Sequence, residues 1–463
     1  MVDISSKRIV DGAFAWRRPP PLSARSKRRS FDVEDALCLV IPSLMPIQFN
    51  VGGRLILSEI LAIFLLPVLY ALKGRLFRGI QQRRVIGLGL LWLVGLVATD
   101  LIRGTKFEDY SRGWALVSFT LIDFALIFLL AENKVSRIKL LFVGYAIGTG
   151  LETLLTPGVE GIRWKMGGGD AVLLGALALL SLWTPSGIQA RRFGIALEAA
   201  NAVLGVLFNA RNVAGRAFVD AIMLASSLFR PSSGFKLAQS RQTMIILALL
   251  ALPTMYVGLS GYAYLAQSGV MGDSARATYA AQSNSSFGPF GVLFGGRPEI
   301  FVASQAIADS PIIGHGSWAR SMDYYLRFRQ LAALGFDVRE SGVTDPSALV
   351  ASRGMEPEIP AHSILFGSWV WAGVFGAVFW CYALYLIVRC FGAALIRMDT
   401  VAPLLVHAST LMLWDILFSP YGNDRRFEAA IFLTAAIIYA RSAPKPSKAT
   451  TKRLGLPALR QAA

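Results

Sequence analysis

PAHSILFGSWVWAGVFGAVFW, Pro360 to Trp380, is an apolar run entered through a proline and a histidine. Its apolar residues are continuous rather than alternating, which fits a buried or lipid-embedded helix and not a strand of a membrane barrel. Similar runs of about eighteen residues, ended by charges or by Gly and Pro, recur along the chain. Of its 463 residues 54% are hydrophobic and 16% charged, against about 25% charged in soluble domains. In lipid, backbone polar groups are satisfied only within helices or closed barrels. The sequence therefore predicts an all-α polytopic membrane protein.

Twelve candidate spans are expected at 36–51, 55–72, 85–102, 113–130, 140–156, 170–185, 193–210, 212–229, 243–262, 362–388, 401–418 and 427–440. Pro42 and Pro46 predict a kink in the first of them. The organisation expected is a basic tail over 1–35, nine spans over 36–264, a large loop over 265–361, three spans over 362–440 and a basic tail over 441–463. No removable signal peptide is expected, because the first 35 residues lack a short apolar core with a small-residue cleavage site.

Lysine and arginine set the orientation. KGRLFRGIQQRR, Lys73 to Arg84, carries five positive residues and no acid. Further short basic loops lie at Lys134 to Lys139, Arg191-Arg192, Arg230 to Arg241 and Arg389 to Arg397. With an even number of spans these loops and both tails share one side, which must be the cytoplasm. The large loop, the turn around Asn209 to Arg211, and SPYGNDRRFE (Ser419 to Glu428) then face the periplasm. The formal charge of +17 is thus accounted for by membrane orientation, and no nucleic-acid partner is expected. Cys38, Cys381 and Cys390 lie in or beside apolar segments and form neither a disulfide framework nor a metal-ligand spacing.

Within the large loop, Ser274 to Gly296 is small, polar and Gly-rich. RPEIFVASQAIADS (Arg297 to Ser310) predicts an amphipathic helix, with Pro298 and Glu299 suited to its first turn. PIIGHGS is a turn, and Ala319 to Phe336 reads as a second amphipathic helix. His362 can accept a proton from a sugar hydroxyl, since an imidazole titrates near neutral pH; the plainer reading is a capping or interface histidine. Arg297 at a helix start suits phosphate oxygens, or else is a solvated arginine. Arg211, in LFNARNVAGRAFVD, sits between two apolar spans with no acid close by, which makes it a functional candidate or a residue snorkelling to the headgroups. Secondary candidates are Arg216, with Asp220 as an i,i+4 partner, Glu299, His315, Arg425 and Arg426. Asp309, Glu356 and Glu358 are further acids near the loop, and His407 is expected to hydrogen-bond to a neighbouring helix.

Together these motifs resemble the O-antigen ligase and Wzy-type polysaccharide polymerase superfamily. The resemblance rests on Gly296, Arg297 and Phe301, then SPIIGHGS, then His362, Ser363 and Leu365 with Gly373 and Gly376, and on Arg211 just after a span. Ala210 replaces the serine usual before that arginine, His315 replaces an apolar residue, and the segment before the turn lacks a tryptophan. The resemblance implies a GT-C-like glycosyltransferase of about twelve spans with one large, partly helical periplasmic loop, in a bacterial inner membrane. It implies no cofactor and no metal, an undecaprenyl-pyrophosphate-linked glycan as donor and a glycan acceptor, with a chain-length regulator as a further partner. On it, Arg211 and Arg297 bind pyrophosphate and His362 is the base that activates the acceptor. The expected activity is polymerisation of lipid-linked repeat units; an O-antigen ligase, a lipid-linked oligosaccharide flippase and a non-enzymatic scaffold are the rivals.

Overall fold

The computed structural model describes residues 31–50, 53–155, 164–184, 186–228, 253, 256–283, 297–331 and 356–441. The basic tails, the Arg230 to Arg241 loop, most of the Gly-rich segment and the start of the span expected at 243–262 lie outside the described residues.

The bundle is built from α1 (Val33–Ser43), α2 (Leu57–Lys73), α3 (Ile80–Arg103), α4 (Phe107–Ala131), α5 (Val135–Leu155), α6 (Gly169–Trp183), α7 (Gly187–Leu207) and α8 (Arg211–Leu228). After the loop come α12 (Ile364–Ala372), α13 (Val374–Ile396), α14 (Ala402–Phe418) and α15 (Asn423–Arg441). The loop itself holds α9 (Asp273–Gln282), α10 (Glu299–Asp309) and α11 (Met322–Gln330). Among the described residues six helical stretches are long and apolar enough to cross a bilayer: Leu57–Arg78, Ile80–Arg103, Phe107–Ala131, Val135–Leu155, Trp164–Trp183 and Val374–Ile396.

Burial separates central helices from peripheral ones. In α4 every residue from Leu126 to Ala131 is buried, and α15 is buried almost without interruption from Arg426 to Tyr439. A helix apolar on all sides belongs in the middle of a bundle. The apolar window of the stretch Leu57–Arg78 is only 11% buried, and its Ile63, Phe64, Val68 and Leu72 point outward, as a lipid-facing helix requires. Arg137 ties α1, α4 and α5 together, donating to Asp35 at 2.8 Å, to Asp32 at 2.9 Å and to the Leu130 carbonyl at 2.8 Å.

Two expected spans are corrected. The first is not one continuous helix, although its ends meet opposite ends of α5, Asp35 at Arg137 and Gln48 at Glu152. α1 has 11 residues, about 16 Å of helix against a hydrocarbon core of about 30 Å. It stops just after Pro42, and Gln48–Asn50 (β1) pairs antiparallel with Arg54–Ile56 (β2), Gln48 opposite Ile56. Pro46 has no N–H to continue the helix.

The opening stretch is not one helix either. Gly373 has φ +62° and ψ −149°, a region that only glycine occupies without strain. A Cβ on Gly376 would collide with the Ser368 carbonyl. Eight residues apart on one straight helix would be about 12 Å, so α12 folds back against the start of α13. The spanning helix begins at Val374, and His362 precedes a separate short helix rather than the span itself.

The turn PIIGHGS is seated in that break. Backbone N–H groups of His315 and Gly316 donate to the carbonyls of Val370 (2.7 Å) and Trp371 (3.0 Å), and that of Val374 donates to Ile312 (3.2 Å). Gly314, at φ +81°, comes so close that a Cβ would stand 2.6 Å from the Gly373 nitrogen. The end of α3 and the start of α4 hold the same turn. Asp100 accepts from the Ser317 N–H (2.6 Å), the Ser317 hydroxyl (2.7 Å) and the Trp114 indole (2.8 Å). Arg103 donates to the Gly314 carbonyl at 3.0 Å and the Ser310 hydroxyl at 2.7 Å. Arg320 grips Asp109 with two bonds of 3.0 and 3.1 Å. A small apolar core of Val302, Ala303, Ala306, Tyr324, Phe328, Ile359 and Val370 joins α10, α11 and α12. The loop from 297 to 331 is therefore a packed layer over one end of the bundle, called the loop end below.

Candidate functional site at the loop end

Ser363 fixes where His362 sits. It is the N-cap of α12, accepting from the Phe366 N–H at 3.2 Å, and its hydroxyl donates to the Ile416 carbonyl at 3.0 Å. A capping serine is a local choice, since it satisfies an otherwise orphaned helix N–H. The bond to Ile416 is not local, and it binds the entrance of α12 to the last turn of α14.

His362 is half-buried there. Burial, reinforced by the positive charges of Arg297, Arg425 and Lys165, pushes its imidazole down to about 4. At neutral pH the ring is uncharged and one nitrogen keeps its lone pair. The three cations come from separate parts of the chain: Arg297 from the residue before Pro298 at the head of α10, Arg425 from the first turn of α15, and Lys165 from the irregular turn Trp164–Gly168. Arg425 is held by an ion pair to Asp415 and lies 3.7 Å from Glu428.

Arg211 begins α8, after Asn209 at φ +52°. It donates to the Tyr262 hydroxyl at 3.2 Å and lies over the Tyr262 ring at 5.6 Å. It is not among the charges that act on His362. Three residues before it, Phe208 at the end of α7 lies 5.3 Å from the Trp164 ring of the Trp164–Gly168 turn.

The remaining candidates are engaged elsewhere. Arg216 does not pair with Asp220; it forms a buried pair with Asp170 on α6, at 2.6 and 2.7 Å, because the Asp220 carboxylate turns to Thr410 and His407. Arg426 is buried against Glu59, with one bond of 2.7 Å, and donates to the Arg54 carbonyl at 2.8 Å. His315 bonds through Nε2 to the Ala306 carbonyl at 2.8 Å and packs edge-on against Tyr324. Glu299 is buried in the first turn of α10. Of the further acids, Asp309 accepts the Tyr324 phenol at 2.6 Å, and Glu358 stands 3.6 Å from Arg320. Burial, with Asp309 as acceptor, pushes the Tyr324 phenol up to about 12.

Sequence reasoning missed Lys165. Its signal is a lysine in WKMGGG, a loop assigned to the face that membrane orientation depletes of positive residues. Chemically, the loop end offers one neutral imidazole among positive side chains. That combination can receive a polyanion and take up a proton beside it. Comparison with known protein families, curated proteins and solved structures returned no match.

Proposed function

We propose that this chain is a membrane glycosyltransferase that polymerises lipid-linked oligosaccharide repeat units. The observation that carries the reading is the convergence of Arg297, Arg425 and Lys165 on an uncharged His362. The donor in this reading is an undecaprenyl-pyrophosphate-linked glycan. It lies with its diphosphate among those cations and its lipid tail between helices. In this reading Arg211, whose helix follows Phe208 and its contact with Trp164, extends the cationic rim. The fuller architecture belongs to the proposal as well: about twelve spans, a GT-C-like arrangement, basic tails in the cytoplasm, and the loop end at the periplasmic face of a bacterial inner membrane.

The chemistry balances without a metal. The acceptor hydroxyl oxygen attacks the anomeric carbon from the side opposite the phosphate, so the configuration inverts. Its proton passes to the free nitrogen of His362, and the anomeric C–O bond breaks with its electron pair moving to the diphosphate. Guanidinium groups aimed at that growing charge stabilise the transition state more than the ground state. Donor binding also prepares the base: a diphosphate offsets the positive charges that reinforce burial in depressing the imidazole, so its basicity rises when the donor is present.

The flippase reading draws on the ionisable groups inside the bundle, Arg216 and His407. These meet carboxylates of Asp170, Glu198 and Asp220, an arrangement that supports paired charges more than a pathway for a large anion.

The test is polymer formation from purified lipid-linked repeat units in proteoliposomes. His362→Ala and Arg297→Ala are each expected to abolish long-chain product while the protein inserts normally. Unchanged polymer length in both removes the assignment. Deletion of the gene separates polymerase from ligase: single repeat units accumulate on the carrier in the first case, finished polymer in the second.

A further inference from the structure

Away from the loop end, Glu198 of α7, Asp220 of α8 and His407 of α14 meet inside the bundle. One potential ligand atom of each lies within 4.8 Å of the other two. His407 Nδ1 stands 3.3 Å from Glu198 Oε1 and 3.2 Å from Asp220 Oδ2. All three are buried, with relative exposures of 0%, 0% and 1%. Among the described residues neither carboxylate oxygen of Glu198 accepts a hydrogen bond, and Asp220 Oδ1 and His407 Nε2 also have no hydrogen-bond partner. Buried polar atoms are seldom left so in native proteins, and a group of them facing one another points to something that binds between them.

The charge count points the same way. Arg216 is bound to Asp170, so the positive charge that Glu198 and Asp220 call for must come from His407 or from a bound ion. Two carboxylates together in a low-dielectric interior repel strongly unless positive charge is supplied. The 3.2 Å spacing is a hydrogen bond between His407 Nδ1 and Asp220 Oδ2; such spacings also suit the edges of a coordination polyhedron with metal–ligand distances of about 2.0–2.2 Å. One imidazole with two carboxylates suits a first-row divalent ion better than magnesium or calcium, which prefer oxygen alone. Thr410 donates to Asp220 Oδ2 at 2.6 Å, which orients that carboxylate as outer partners of metal ligands do.

We propose that Glu198, Asp220 and His407 bind one divalent transition-metal ion of the Mn2+ or Zn2+ class, which staples α7, α8 and α14 together. The ion is remote from the reaction. His407 and Ile416, whose carbonyl holds Ser363 beside His362, are nine residues apart on one helix, about 13 Å. The inference therefore stands or falls independently of the glycosyltransferase reading.

The experiment uses full-length protein in detergent, stripped with chelator, equilibrated with Mn2+ or Zn2+, desalted and analysed for metal. One ion per chain is expected, together with a rise in the thermal unfolding midpoint on metal addition. Glu198→Gln and His407→Gln are expected to weaken binding at least 10–100-fold, and Thr410→Ala, which keeps all three ligands, by about 10–100-fold. Nitrogen coupling to bound Mn2+ in pulsed electron paramagnetic resonance is expected, and absent in His407→Gln. Wild-type protein that retains no stoichiometric metal overturns the proposal, and so does metal bound equally by the folded ligand variants. Stabilisation by acidification alone, without metal uptake, overturns it in favour of protons. If a ligand variant fails to fold, the wild-type stoichiometry and the nitrogen coupling still decide.

Discussion

Two histidines of this chain stand in opposite fields. His362, at the loop end, feels Arg297, Arg425 and Lys165. His407, inside the bundle, faces Glu198, Asp220 and Asp170 at 3.3, 3.2 and 3.7 Å. The first imidazole is kept neutral by burial and positive neighbours; the second lies where added positive charge is stabilising. The same contrast sorts the arginines. Arg216 and Arg426 are each bound to a buried carboxylate; Arg425 is bound to one as well, Asp415, yet with Arg297 it also adds positive charge at His362. The lesson is that a charged residue in an apolar run becomes a candidate for chemistry only once its partners are known.

The largest break in this comparison is expected from His362→Ala and Arg297→Ala. Loss of a positioned base lowers turnover about 10²–10⁴-fold, and loss of a donor to the developing charge about 10²–10³-fold. Both are to be measured as initial rates of glycan transfer per inserted protein. Glu59→Ala tests the interior side. It leaves Arg426 buried without its carboxylate and is expected to destabilise by about 3–5 kcal/mol, read as a lowered unfolding midpoint, with activity per folded molecule retained. Gly373→Ala strikes the joint between the regions. A strained backbone of this kind costs about 1–3 kcal/mol, and the added methyl collides with Ile312. Faster proteolysis of the 297–331 layer is the expected readout, and unchanged protection would show that the turn is not anchored there.

Arg211→Lys sharpens the boundary of the cationic rim. A point charge cannot reproduce a planar fork, so transfer is expected to fall about tenfold or more; full activity would assign Arg211 to membrane anchoring. The smallest effect is in pH. The His362 base is active unprotonated, so the acid limb of kcat/KM is expected near pH 4 and activity persists above it. Lys165→Gln removes a positive neighbour, which favours the protonated ring and moves the limb upward toward the ordinary value of about 6.5. A limb that does not move, or moves down, would break the electrostatic link between Lys165 and His362.

How far the site was legible differs residue by residue. Arg297 and His362 stood out because one follows two glycines and opens an amphipathic helix and the other precedes an apolar run, and both are patterns readable within ten residues. The role of GHG was not legible. His315 looked like exposed loop chemistry, but its backbone enters a helix break 58 residues later in the chain, a contact no local pattern encodes. Arg216 misled for a related reason. Asp220 has the correct i,i+4 spacing, yet Asp170 on another helix offers two oxygens in a better direction, and Asp220 is taken up by His407 and Thr410.

Residue order alone is enough to read this chain as a helical membrane protein with a polar layer between its apolar helices. Transfer of apolar runs out of water is a local, additive property that needs no partner. Helix packing was needed to show that α12 folds back at Gly373, that Lys165 adds its charge to those of Arg297 and Arg425 at His362, and that Arg216 and Arg426 are consumed by carboxylates 46 and 367 residues away. Charges in a low-dielectric bundle act through space and through whatever opposes them, and chain order does not specify which carboxylate arrives first.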